Sequence, residues 1–401
     1  SRHRGEDRHR GPSGLDQRAF LSILVPFILM RRIDERGATR PLRQGGSQLP
    51  EDDDIVQAEI EVLRSLRQLL DAPSEKPVTL VGDVILDRYF HGWANHLMSI
   101  APVPVVKVIR RSESAGAAAH IARGLLSLGL KTRFFSILGG DRVGHLLAQL
   151  LQEEGVDTSD IRVAAHMQTA VKTRIFGSRE SLIEREQLLM QFDEEPQESV
   201  PPETVQRMAE AVKKAIPGSA ALVLSDYGKG MVGDENAPEF IGLAKEHGVP
   251  VICDPKLTGL HRTHGATITL FEKRGLELLR RRGNFDTVEE TAAHFIAEHS
   301  WDAMLVLGGQ TGVTLYRADG STLNIPCMLD VQMQQIGLHD AAATGLAAAL
   351  GSGRSLEDAT RLANAACECV LAAGPSEEVL DRRRLSTRLD ELAWQLQISD
   401  R

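Results

Sequence analysis

The residues most able to do chemistry sit where a polar turn meets a helix of small residues. Ile336-Gly337-Leu338-His339-Asp340-Ala341-Ala342-Ala343-Thr344-Gly345 follows Gln334-Gln335, and a helix is expected over 341–350. The first N–H groups of a helix lack intrahelical partners and favour phosphate or developing negative charge. Asp340 stands at that start, where an aspartate also caps a helix or complements its dipole. Other polar residues follow short apolar runs. Asp83 lies at the end of the run 78–84 and Asp87 just beyond it. Carboxylates there suit sugar hydroxyls, because each accepts several hydrogen bonds. Asp226-Tyr227-Gly228-Lys229-Gly230 follows the run 221–225, Asp254-Pro255-Lys256 follows 249–253, and Gly308-Gly309-Gln310-Thr311-Gly312 follows 303–307. Lys172 and Arg174 share one face of an alternating stretch over 171–175, either a grip on an anionic group or a solvated strand face. Gly116 and Ala117 permit close approach of a ligand or a backbone. Asn364, inside the alanine-rich run LANAA, fits packing, solvent or the edge of a flat base.

These residues need elements to position them. Apolar strands alternate with helical stretches over 203–215, 237–247 and 287–299, which predicts an α/β fold with a parallel sheet covered on both faces. Each strand ends in Asp, Lys or Gly, so the polar residues collect along one sheet edge, where open α/β sheets bind ligands. The prolines of 102–109 mark an edge strand, a helix is expected over 114–128, and 188–192 is expected to pair with 171–175. The C-terminal part reads as helical over 341–350, 356–373 and 384–396.

The chain of 401 residues is 42% hydrophobic and 25% charged, an ordinary globular balance with room for one large domain or two. A net charge of −9, with no long basic run after residue 50, argues against nucleic acid as the main partner. Cys253, Cys327, Cys367 and Cys369 show neither metal-ligand nor disulfide spacing, which fits a reducing, cytoplasmic or organellar interior. Residues 1–76 read as an N-terminal extension with one helix near 51–70. The apolar run over 20–30 is too short to span a bilayer and leaves a docking segment, a peripheral anchor or a targeting segment open.

The motifs VGDVILDRYFHG (81–92), APVPVVKV (101–108), VKTRI (171–175), LSDYGKG (224–230), DPK (254–256) and LANAA (362–366) carry a resemblance. From about residue 77 to 379 the chain resembles the ribokinase/PfkB family of sugar kinases, and within it most the heptose-7-phosphate kinase branch. The resemblance implies a doubly wound, mostly parallel sheet over 77–401 with a small β lid from about 85–110 and 168–193. It implies ATP and Mg2+, with Asp340 as general base and the backbone amides that follow Gly337 as an anion hole. Asp83, Asp87, Gly116 and His120 match sugar-site positions, and Lys172 and Arg174 suit a phosphorylated sugar. Asp226 and Lys229 fall near phosphate and metal, Asp254 and Lys256 among the cofactor-binding positions, Gly309 and Gly312 on the nucleotide side, and Asn364 beside the base. No particular metal ligand follows from it.

Three departures accompany the resemblance. The expected Gly-Ala-Gly-Asp is Gly337-Leu338-His339-Asp340, preceded by Gln334 in place of an aspartate. The expected Asn-x-x-Glu is Phe271-Glu272-Lys273-Arg274, with Glu277 one turn on as a substitute. A sugar-site asparagine is His120. Two readings therefore stand: a working kinase for a sugar phosphate, or a kinase-fold protein impaired in catalysis that serves as a binding or structural subunit. The lid or the N-terminal extension would mediate a homodimer or a larger complex. No His-x-Gly-His run marks a nucleotidyltransferase half after residue 375.

Overall fold

The computed structural model describes residues 52–178, 186–374, 377 and 379–399. Nine strands form one sheet in the order β13-β12-β11-β10-β9-β8-β1-β4-β5. They are β1 (Val78–Gly82), β4 (Thr132–Gly139), β5 (Ile161–Ala164), β8 (Ala221–Ser225), β9 (Val251–Asp254), β10 (Ile268–Glu272), β11 (Ala303–Leu307), β12 (Val313–Arg317) and β13 (Thr322–Ile325). Every pairing from β5 to β11 is parallel, and β12 and β13 add an antiparallel edge. The strand order reverses between β1 and β8, which opens a crevice at their carboxyl ends.

Strand alternation splits the core in two. On β8, Ala221 and Val223 enter one apolar cluster, and Leu222 and Leu224 the other. The first cluster takes residues from α1 (Asp52–Asp71), α2 (Ala118–Ser127), α3 (Arg142–Glu153), α8 (Leu338–Leu350), α9 (Leu356–Leu371) and α10 (Arg382–Ser399). The second takes α4 (Pro202–Ala215), α5 (Asn236–Glu246), α6 (Lys273–Gly283) and α7 (Val288–His299). The helix expected near 51–70 is α1. Its Ile60, Leu63, Leu66 and Leu70 are buried in the first cluster with Leu385 and Leu389 of α10, so we place α1 with the folded body rather than with an extension. The apolar run over 20–30 lies outside the described residues.

A second sheet, β3-β2-β6-β7, forms the expected small lid. Its strands are β2 (Val84–Leu97), β3 (Pro104–Ala117), β6 (Val171–Ser178) and β7 (Gln187–Glu194). The helix expected over 114–128 begins only at Ala118. Residues Ser114 to Ala117 finish β3 instead, because they pair with Asp87 to Val84 on β2. Asp83 alone separates β1 from β2. Its N–H donates to Ser225 O at 3.3 Å, and its carbonyl accepts from Ala118 N–H at 3.0 Å.

Candidate active site

Gly337, with φ +80°, turns the chain into α8, a conformation a residue with a Cβ rarely adopts. The first intrahelical bond is Ala341 N–H to Gly337 O at 2.9 Å. The N–H groups of Leu338, His339 and Asp340 precede it and lie outside the helix ladder. Gln334 braces this turn, its side-chain oxygen accepting from Ile336 N–H while its amide donates to Val370 O at 2.8 Å.

Asp340 is buried, and its carboxylate is held from two sides. Tyr227 donates its hydroxyl to Oδ1 at 3.3 Å, and His120 Nδ1 lies 3.1 Å from Oδ2. Burial, with Asp340 close by, holds the Tyr227 phenol well above its usual range, so it stays a neutral donor. His120 Nε2 lies 3.6 Å from Asp87 Oδ2, and Arg174 donates to Asp87 Oδ1 at 2.6 Å. Gly116 makes room for that carboxylate, since a Cβ there would stand 1.8 Å from Asp87 Oδ2. A cavity of about 420 Å³ joins Asp87, His120, Lys172, Arg174, Asp226, Asp254, Lys256, Glu272, His339 and Asp340. The strand-end acids and the α8 aspartate therefore meet in one crevice under the lid.

Not every expected residue faces it. Asp83 turns away: its carboxylate accepts backbone N–H groups from Tyr227 (3.0 Å), Lys229 (2.9 Å) and Met231 (3.1 Å), tying down the loop after β8. Burial pushes its pKa up to about 6 despite those bonds. Lys229 is not in the cavity lining and pairs with Glu195. Gly309 and Gly312 shape the turn after β11, both at positive φ, and are also outside the lining. Asn364 is buried beside Glu368 and Pro326 O, at 3.4 and 3.5 Å, and points into packing. Glu277 is engaged by Arg280 and Arg281 on α6, with its pKa down to about 2, and does not substitute in the crevice.

Three participants carried no sequence expectation. Arg262, in the helical turn after β9, donates to Asp226 Oδ2 at 2.9 Å. Tyr227 reaches Asp340 from inside the DYGKG motif. Glu272 lines the cavity 3.6 Å from His339 Nε2. His339 itself places Nδ1 2.7 Å from Asp254 Oδ1. Burial pulls its pKa down, but the attraction of Asp254, aided by Glu272 and Asp340, outweighs that and raises it to about 9. His339 is therefore an imidazolium at neutral pH.

The residues present do not fit a protein-held Mg2+. Asp226 is used by Arg262 and by Gly228 N–H, Asp254 is used by His339, and no three metal-capable side chains converge among the described residues.

A doubly wound sheet, a β lid and an aspartate at a helix start in the crevice between them define a ribokinase-like protein. Solved structures bear out the fold. A putative ribokinase from Agrobacterium tumefaciens matches with a TM-score of 0.63 at 19% identity, covering 80% of this chain and 99% of its own. Ribokinase from Arabidopsis thaliana, complexed with ribose and ATP, matches with a TM-score of 0.61 at 18% identity, covering 79% and 99%. The chain belongs to the pfkB family of carbohydrate kinases, whose pattern matches residues 101–379. The bifunctional protein HldE of Erwinia tasmaniensis is 36% identical over 297 residues, which is 73% of this chain and 59% of that protein. HldE of Rhodospirillum rubrum is 33% identical over 313 residues, 77% of this chain and 61% of that one. The chain thus spans about three fifths of the length of these curated relatives. Among the described residues no helix is long and apolar enough to cross a membrane.

Proposed function

We propose that the chain transfers the γ-phosphoryl group of ATP to a hydroxyl of a phosphorylated sugar, heptose 7-phosphate being the first acceptor to test. The carrying observation is the placement of buried Asp340 at the start of α8, in one cavity with Lys172, Lys256 and His339. Asp340 takes the proton from the acceptor hydroxyl, while Tyr227 and His120 fix the orientation of its carboxylate. The unbonded N–H groups at the start of α8 and the His339 cation face the charge that builds on the transferred phosphoryl oxygens. Lys172 and Arg174 support a phosphate on the acceptor, Arg174 from within its pair with Asp87.

A second reading has its own observation. Asp87, Asp226 and Asp254 are already matched by cations of the chain, as expected of a kinase-fold binding subunit with impaired catalysis. ADP release with a panel of phosphorylated sugars separates the two. Turnover with one sugar phosphate, lost in Asp340→Asn with the fold intact, supports the kinase. Absence of turnover with every acceptor, in a folded protein that binds sugar phosphate, replaces it with the second reading.

A further inference from the structure

The buried acids of the crevice are each answered by a basic group of this same chain. Arg174 takes Asp87 at 2.6 Å, Arg262 takes Asp226 at 2.9 Å, His339 takes Asp254 at 2.7 Å, and His120 stands 3.1 Å from Asp340. A divalent cation is held by oxygen lone pairs that nothing else has claimed. Here both Asp226 oxygens and Asp254 Oδ1 are committed to guanidinium, backbone N–H and imidazole groups.

Positive charge, by contrast, is left over. Lys172 and Lys256 line the cavity, and neither has a carboxylate within ion-pair distance among the described residues. The Lys172 amine lies 5.0 Å from the centre of the Tyr227 ring. The Lys256 amine packs on the next residue, where a Cβ on Gly228 would be 3.3 Å from Nζ. The two amines therefore flank one turn. Burial, then the positive charge of Arg174 and Lys256, lowers the Lys172 pKa, though Asp87 and Asp193 oppose it. His339 adds a donor: Nε2 is buried with no hydrogen-bond partner, and Glu272 Oε1 stands beyond bonding range at 3.6 Å.

From this arrangement, and resting on the phosphotransfer reading of the pocket, we infer that the chain grips a polyphosphate with His339 and Lys256 in place of a protein-held divalent metal, leaving Lys172 to the phosphate of the acceptor. Asp87, Asp226 and Asp254, which would repel a phosphate, are neutralised from inside, so the ligand enters without a metal to screen them. Its oxygens accept charge-assisted bonds from the His339 ring and the Lys256 amine. Magnesium carried in by the nucleotide removes negative charge that these cations attract, so it does not improve binding.

Isothermal titration calorimetry of the full chain with ATP, in excess EDTA and in excess magnesium, tests this. The affinity in EDTA is expected to equal or exceed that in magnesium. Lys256→Met and His339→Gln are each expected to weaken binding in EDTA by about tenfold, the loss of one charge-assisted contact. Lys256 is exposed, so its variant keeps the test readable should the His339 variant not fold. Binding weaker by about tenfold or more in EDTA overturns the inference, as does unchanged affinity in Lys256→Met. Magnesium-dependent binding accompanied by turnover removes only this inference and leaves the kinase reading standing. No ATP binding in either buffer removes both.

Discussion

His339 lends itself to a direct measurement, because its charge is set by one short contact. Its Nδ1 lies 2.7 Å from Asp254, its side chain is 22% exposed, and its pKa is raised from 6.5 to about 9. A raised pKa means that the folded state holds the proton more tightly than the unfolded chain. The stabilisation is complete below pH 6.5 and is lost as pH rises through 9. A shift of this size corresponds to about 3 kcal/mol, or roughly two orders of magnitude in the folding equilibrium. Urea unfolding of the protein and of His339→Gln from pH 6 to pH 10 isolates it, since titrations common to both cancel. The stability advantage of the unsubstituted chain is expected to be largest at pH 6 and to shrink by about 3 kcal/mol by pH 10. NMR titration of the His339 ring should give a midpoint near 9. A ring midpoint at or below 6.5, or an advantage that grows with pH, would refute the imidazolium and the ion pair behind it.

Other outcomes follow from the same geometry. Asp83→Asn removes a carboxyl whose pKa is raised from 3.8 to about 6, so the unsubstituted chain should outperform it most near pH 4. That margin should fall by about 3 kcal/mol as pH passes 6, read by urea midpoints; a flat difference contradicts the burial argument. Gly116→Ala puts a Cβ 1.8 Å from Asp87 Oδ2, and thermal unfolding should show a loss of about 1–3 kcal/mol, with weakened sugar-phosphate binding. Arg174→Leu removes the guanidinium bonded to buried Asp87 and should cost about 3–5 kcal/mol; a change within about 0.5 kcal/mol would show the pair to be dispensable.

The sheet was legible because its strands are uninterrupted apolar runs closed by Asp, Lys or Gly. β8 and β11 sit where those runs predict, and β9 begins two residues later than expected. The lid was legible as a place but not as a length. β2 runs fourteen residues through sequence that mixes apolar and polar side chains, and Ser114 to Ala117 read as helix because alanine-rich composition says nothing of cross-strand pairing. α6 and the β12–β13 hairpin were not anticipated. In the site, residue types gave the meeting of Asp87, Asp226, Asp254 and Asp340, but not the direction of each carboxylate. Asp83 faces a loop rather than a ligand because three N–H groups need it, and no spacing rule announces that. Arg262 lies in a turn without periodicity, and only its bond to Asp226 identifies it. Tyr227 had a signal, its place inside a glycine-rich strand end, that drew attention only to its neighbours.

The single residue between β1 and β2 carries a mechanical consequence. Asp83 is the pivot of the lid, yet its N–H, its carbonyl and both carboxylate oxygens are fastened to Ser225, Ala118 and the Tyr227–Met231 loop. A displacement of the lid about Asp83 would therefore tug on the strap that carries Tyr227 toward Asp340. A gape at the mouth of the cleft is transmitted to the hydroxyl steadying the proton acceptor, and deuterium uptake at the amides of residues 227, 229 and 231 would register it.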